Sequence, residues 1–480
     1  MKTTLLEVRG WSVALGGVLL LATPAAARAE LATPIGVAVP VGRPAGKILP
    51  VAAVQEAPPQ GQAATAAREL TLEEALALAK KANHSLAAER QHFAQAETNL
   101  EQAWSVLFPT VATQGKYTHN YRQYDLSFGM GMPPITILKQ EQLDASVNLT
   151  LPLLVPAAYP ALKAVEASVA ASKASYDSNE TQILFAVAQA FYGCAAAEEV
   201  LLARRSSIDV ARATLSNAET RFAAGTVTKV DVDRAQLAVL RAEQQEREAS
   251  EARRQAYRAL ATLTGMQGEV KVRPAAPSVP AATPITPGSL ADTLQLRPEF
   301  RAVELTNKSA ALQADAYAWR WAPSLSAFGT AHVGNYKGFT GDRYSWAVGA
   351  QLDWVLFDGG ARDAQRHLAA AQAREAAARA EVLQDSIRDE LANTRGQLDT
   401  KRSAQETADR QVALSQETVS LIRTQYEAGT ATQIDLLQAQ DNLVASQETL
   451  AQSHFDVAVT ELALRRAEGR FPAPELAKAP

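Results

Sequence analysis

The sequence predicts a mainly α protein with a membrane β part. Duplicated helical hairpins carry four strands per chain, and the strands contribute to a shared transmembrane β-barrel. Three observations predict this. The chain repeats itself at an offset near 204 residues. Its helical stretches are too long for a globule, where helices run three or four turns. Four shorter stretches alternate apolar and polar residues.

Composition narrows the class further. Of 480 residues, 47% are hydrophobic and 20% charged, which excludes a disordered chain. Ala makes up about a fifth, well above ordinary usage, and favours long helices at close approach. A single cysteine excludes a disulfide scaffold and any multi-Cys metal site. A net charge of −4 argues against a nucleic-acid partner.

Taken in order, the chain opens on a signal peptide, residues 1–29. Lys2 and Arg9 precede an apolar run from Trp11 to Leu21, and Ala27-Arg28-Ala29 forms an A-x-A cleavage site. No cysteine stands there, so no lipid anchor is expected. Residues 30–69 read as a flexible Pro/Ala-rich leader. A first structural repeat (70–272), a Pro-rich linker (273–288), a second repeat (289–470) and a flexible tail (471–480) follow.

Each repeat has the same expected layout. A helix opens it, Leu72 to Leu107 and then Ser289 to Trp321. Two alternating segments come next. A long helix follows, Ala157 to Ala224 and then Gly360 to Ala428, which at 1.5 Å per residue reaches about 100 Å. A shorter helix closes the repeat, Lys229 to Leu263 and then Gln433 to Glu468. The two short helices together match the long one in length and can run antiparallel to it. In the last helix Ile434, Leu437, Asp441 and Val444 sit at i, i+3, i+7 and i+10, beside Leu436, Leu443 and Leu450 at a seven-residue spacing.

The alternating segments read as strands. Leu143, Ala145, Val147, Leu149, Leu151 and Leu153 alternate with polar residues and Pro152; Tyr344, Trp346, Val348, Ala350, Leu352 and Trp354 repeat the pattern. Val111, Thr113, Gly115, Tyr117 and Tyr121 alternate with Thr110, Ala112, Gln114, Lys116 and Thr118, and Ser324 to Val333 is a weaker version. Length, alternation and terminal aromatics match membrane-barrel strands. Four strands cannot close a barrel, and an open edge in lipid costs several kcal/mol per unpaired group. Several copies must therefore share one barrel; two, three or four would give eight, twelve or sixteen strands.

The repeat is clearest at two turns. Gly225, Thr226, Thr228 and Asp231 recur as Gly429, Thr430, Thr432 and Asp435. The glycines suit a helix reversal at positive φ. Thr228 and Thr432 stand at N-cap to N3 spacing from Asp231 and Asp435, so each pair reads as a capping box. A ring of Asp435 side chains around an axis is a compatible second reading, in which crowded carboxylates favour a hydrated, cation-binding opening.

Through these motifs the chain resembles the outer membrane efflux protein family, the TolC-like channels. The marks are Leu72-Glu-Glu-Ala-Leu-Ala-Leu-Ala-Lys80 with Asn83, Leu296-Arg-Pro-Glu-Phe300, Leu356-Phe-Asp-Gly-Gly360, both Gly-x-x-x-x-x-Asp turns, and Leu436-Leu437-Gln438-Ala439-Gln440. The resemblance implies a homotrimer with a twelve-stranded barrel in outer-membrane lipid and an α-barrel through the periplasm. It implies an exit duct for an inner-membrane pump, RND-type or ABC-type, reached through a periplasmic adaptor protein. It also implies that both turns lie at the periplasmic tip, where the duct closes and the adaptor docks. Asp435, Gln438 and Asp231 are the candidate constriction. Gly225, Thr226, Thr228, Gly429, Thr430, Thr432 and Tyr426 are the candidate docking tip. Gln438 stands where many relatives carry a second acid, and Ala431 where a latching Arg stands in TolC-like channels; Tyr426 keeps its place in that network.

An enzyme is the class to test against. His84, His92, His119, His332, His367 and His454 form no ligand spacing, and no nucleophile or phosphate-loop motif is present. Cys194 lies in an Ala-rich helix and reads as packing. No catalytic residue, cofactor or metal is expected. The remaining rival is a periplasmic coiled-coil or adaptor protein without a pore, which would need one hairpin and separate soluble β domains.

Overall fold

The computed structural model describes residues 68–127, 134–266, 270–273, 290–337 and 342–472. All belong to the unit Ala64–Pro480. The expected signal peptide, most of the leader, nearly all the Pro-rich linker and the end of the tail lie outside the described residues.

The first half runs β1 (Arg68–Leu70), α1 (Leu72–Ala82), α2 (His84–Ser105), β2 (Thr110–His119), β3 (Tyr124–Leu126), β4 (Ile135–Leu138), β5 (Glu141–Leu154), α3 (Ala158–Ala223), α4 (Lys229–Thr264) and β6 (Val270–Val272). The second runs α5 (Leu290–Leu296), α6 (Pro298–Ala318), β7 (Ser324–Gly334), β8 (Tyr344–Asp353), α7 (Ala361–Glu427) and α8 (Gln433–Ala467). A 3-10 turn, Trp319–Trp321, joins α6 to β7. The parallel pair β1–β6 and the small β3–β4 hairpin are additions to the sequence reading; three- and four-residue strands are too short for periodicity to find.

Both opening helices are broken where continuous helices were expected, and each break has a local cause. Asn83 is extended, at φ −69° and ψ 122°. Its side-chain oxygen accepts from the Leu86 N–H at 2.9 Å and its amide donates to the Leu263 carbonyl at 2.7 Å. An asparagine that caps the next helix competes with continuing the last one. Arg297 is extended ahead of Pro298, which disfavours the helical region for its predecessor. The Arg297 side chain is buried against Glu299, Glu390 and the Ala467 carbonyl.

The long helices hold 66 and 67 residues. Both α2 and α4 pack along α3, while α6 and α8 pack along α7; α3 also packs on α6 and α8. Alanine makes the seam. Ala164, Ala167, Ala171, Ala174, Ala188, Ala211 and Ala218 of α3 are buried, as are Leu436, Ala439, Val444, Ala451, Ala458 and Leu462 of α8. Ile434, expected in that stripe, is exposed in the single chain. Larger side chains gather midway along the helices. Leu70, Leu76, Leu184, Phe191, Leu260, Leu462 and Phe471 close one girdle cluster, and Leu294, Ile387 and Leu391 a second.

The four principal strands form one antiparallel sheet in the order β2-β5-β7-β8. Its register aligns Val147 with Thr113 and Ala331, and Ala331 with Trp346. Side chains alternate across a strand, so one face collects Val111, Leu143, Val147, Leu149, Val333, Tyr344, Trp346, Val348 and Leu352. The other collects Gln114, Lys116, Gln142, Asp144, Asn148, Thr330, His332 and Gln351. The apolar face is bare. Val348 is 73% and Trp346 71% exposed.

Candidate functional site

Two regions carry the expected function: the hairpin tips and the exposed sheet. At the first tip α3 ends on Ala224, and Gly225 turns at φ +73°; at the second, Gly429 turns at φ +80°. The Gly225 N–H donates to the Phe222 carbonyl (2.9 Å) and the Thr226 N–H to the Arg221 carbonyl (2.9 Å). Gly429 repeats this onto Tyr426 (3.1 Å) and Thr430 onto Gln425 (2.9 Å). This pair of bonds, six-to-one and five-to-two, is a Schellman motif, which needs the left-handed conformation that glycine adopts freely. The Thr226 and Thr430 hydroxyls donate to the same carbonyls as their N–H groups.

The capping boxes form at both tips. Asp231 Oδ2 accepts from the Thr228 N–H (3.0 Å) and hydroxyl (2.8 Å); Asp435 Oδ2 accepts from the Thr432 N–H (2.9 Å) and hydroxyl (2.6 Å). Hydrogen bonds from the threonine hydroxyl and then its backbone N–H hold both carboxyls below the usual carboxylate range. The surroundings of the two aspartates differ in charge. Arg234 stands 3.7 Å from Asp231, while the equivalent place beside Asp435 holds Gln438, an exposed amide. The second tip therefore presents the less compensated negative charge.

One tip residue escaped the sequence reading. The Arg221 guanidinium lies 4.6 Å over the Tyr426 ring and donates to the Tyr426 (3.1 Å) and Glu427 (2.9 Å) carbonyls. It satisfies the free C-terminal carbonyls of α7 from the other hairpin, where a cation also meets the negative end of the helix dipole. The sole signal in the sequence was a departure from the repeat, Arg221 against Gln425. Beneath it Tyr426 is 4% exposed, and its hydroxyl is buried without a partner; both amide atoms of buried Gln433 are in the same condition.

At the opposite end of the helices, Asp358 explains the Leu-Phe-Asp-Gly-Gly motif. Its carboxylate accepts from the Gly360 N–H (3.2 Å), the Arg362 N–H (3.1 Å) and the Arg362 side chain (2.8 Å). Arg362 in turn lies 4.2 Å over the Trp321 ring. This locks the strand-to-helix junction. The indole N–H of Trp354 donates to the Trp321 carbonyl (3.2 Å), so three tryptophans, with Trp319, gather near this end of the sheet. Tyr344 and Trp346 stand at the other end. Among the described residues both edge strands, β2 and β8, pair on one side only.

The remaining reactive residues stand apart. His119 meets Glu141 (2.6 Å), His332 meets Asp144 (3.0 Å) and His454 meets Glu199 (3.3 Å), each on separate elements. Burial pushes the Cys194 thiol up to about 12, which leaves it un-ionised and unreactive.

Long paired hairpins carrying a sheet with one apolar and one polar face define an integral membrane protein of mixed helix-and-strand build. The outer membrane efflux protein family model matches residues 75–266 and 290–470, and the chain belongs to that family. It is thus an outer-membrane protein whose helical part lies in the periplasm. The chain is 29% identical to the outer membrane efflux protein BepC of Brucella suis over 136 residues, 28% of this chain and 30% of that protein. It is 29% identical to the outer membrane protein OprJ of Pseudomonas aeruginosa over 228 residues, 46% of this chain and 47% of that one. It therefore matches less than half the length of either relative. The fold is similar to that of a membrane protein from Pseudomonas aeruginosa, with TM-score 0.72 at 20% identity, covering 83% of this chain and 93% of that one.

Proposed function

We propose that three copies close a twelve-stranded barrel in the outer membrane and continue it as a tunnel of paired helices through the periplasm. In this reading residues 70–272 and 289–470 act as two structural repeats, preceded by a cleaved signal peptide and leader. The assembly is a passive exit duct. An inner-membrane pump, RND-type or ABC-type, supplies the energy and is coupled through a periplasmic adaptor.

The observation that carries this reading is the two-faced sheet with two open edges. In lipid the edge N–H and C=O groups of β2 and β8 need partners, and sister copies of β8 and β2 can supply them. Eight strands would be filled by side chains, whereas twelve leave room for water along the polar face.

The tip is the gate. Asp435, with Gln438 and Asp231, lines the constriction, and the turns at Gly225–Thr228 and Gly429–Thr432 dock the adaptor. The buried, unpartnered Tyr426 hydroxyl and Gln433 amide support a closed state that is easily rearranged, because such groups cost free energy until they find partners. Purified protein in planar bilayers should conduct ions. Asp435→Ala should lower its preference for cations; unchanged selectivity would remove Asp435 from the constriction.

A further inference from the structure

The polar face of the sheet holds one large apolar side chain among its paired residues. Phe328 of β7 stands between Thr150 of β5 and Gly349 of β8 in the register. It is half-buried, although among the described residues no helix covers the sheet. Its ring instead lies across the strand onto Gly349. A Cβ at position 349 would fall 2.8 Å from its Cζ, closer than real Cβ atoms approach, and a tight 3.0 Å from its Cε1. The ring thus occupies the space a side chain at 349 would need. Gly329, on the apolar face, is different. A Cβ there would meet Val348 at an ordinary 3.6 Å, so that position does not require glycine.

We infer that Phe328 and Gly349 together set the bore of the duct at their level. The inference rests on the reading that the polar face lines a water-filled lumen. An aromatic ring projecting toward the axis would expose apolar surface to water and narrow the passage. Laid on Gly349 it loses part of that exposed surface and covers a strand position that has no side chain to pack. Ala347 and Gln351 flank Gly349 on the same face of β8, and Ser326 and Thr330 flank Phe328 on β7, so the space beneath the ring is the one left by Gly349 itself. Any side chain at 349 lifts the ring, once per copy around the axis.

The test is single-channel conductance of the full chain in planar bilayers. Gly349→Val should lower conductance by tens of per cent, because the lifted ring takes up lumen width. Phe328→Ala/Gly349→Val should restore it. Phe328→Ala alone should stay near the wild-type value, since a ring flat on the wall takes up little width. Position 349 has no positive φ that would exclude a side chain, and Gly349→Ala gives the same direction should the valine variant assemble poorly. Ala347→Cys and Val348→Cys separate this inference from its premise. A bulky water-soluble thiol reagent should reduce the current through the first and not the second; buried Cys194 adds no background. Wild-type conductance from Gly349→Val and Gly349→Ala, or a marked rise from Phe328→Ala, with the Ala347→Cys block intact, would overturn the bore assignment. Failure to block Ala347→Cys would instead overturn the lumen reading.

Discussion

Thr432 and Asp435 close a reciprocal pair of hydrogen bonds at the second tip, and Thr228 and Asp231 do so at the first. The depressed carboxyl pKa of each aspartate means that the cap is fully formed above the ordinary carboxylate range. It is lost only as pH falls through the folded-state value. Between the tips, Arg221 ties one hairpin to the carbonyl end of the other through two hydrogen bonds and a ring contact. In the proposed duct, cutting that tie should loosen the closed tip. Arg221→Ala should raise basal current in the absence of adaptor, while Tyr426→Phe should not, because the tie uses the ring and carbonyl and not the hydroxyl. Equal leak from both variants would assign the tie to the hydroxyl. The threonine–aspartate boxes were legible in the sequence, being local and spaced by three residues. Arg221 was not, since its partners lie 205 and 206 residues away.

At the scale of elements, alternation within the strands located all four of them. Register, which no single strand encodes, then decided that their apolar sides share one face. The helix breaks at Asn83 and Arg297 were masked by good apolar spacing on either side. A capping asparagine and a residue before proline each override continuation locally. The short β1–β6 pair carried too few residues to register as a pattern. The two faces make a paired prediction. Val348→Arg puts a charge on the bare apolar face and should cost about 2–4 kcal/mol per site at mid-membrane depth. Ala347→Arg, one residue away on the polar face, should assemble nearly normally. Heat-modifiable migration of the outer-membrane fraction reads the difference; equal loss in both variants would mean that the faces do not differ in environment.

For the whole molecule, the repeat is what made the architecture readable. Two copies of helix, strand pair and hairpin place both glycine turns at one end and all four barrel-type strands at the other. Alanine seams let helices of 66 and 67 residues lie side by side without a wide core. The girdle clusters of larger side chains hold the hairpins at mid-length. Copy number was never in the residue pattern, because edge strands state that a partner is needed and not how many. The central claim is that β2 and β8 are completed by sister subunits. Native mass spectrometry of the full protein released from lipid nanodiscs tests it most directly. Three chains, with no single-chain species, is the predicted result; a folded single chain, stable in the bilayer by itself, would contradict it.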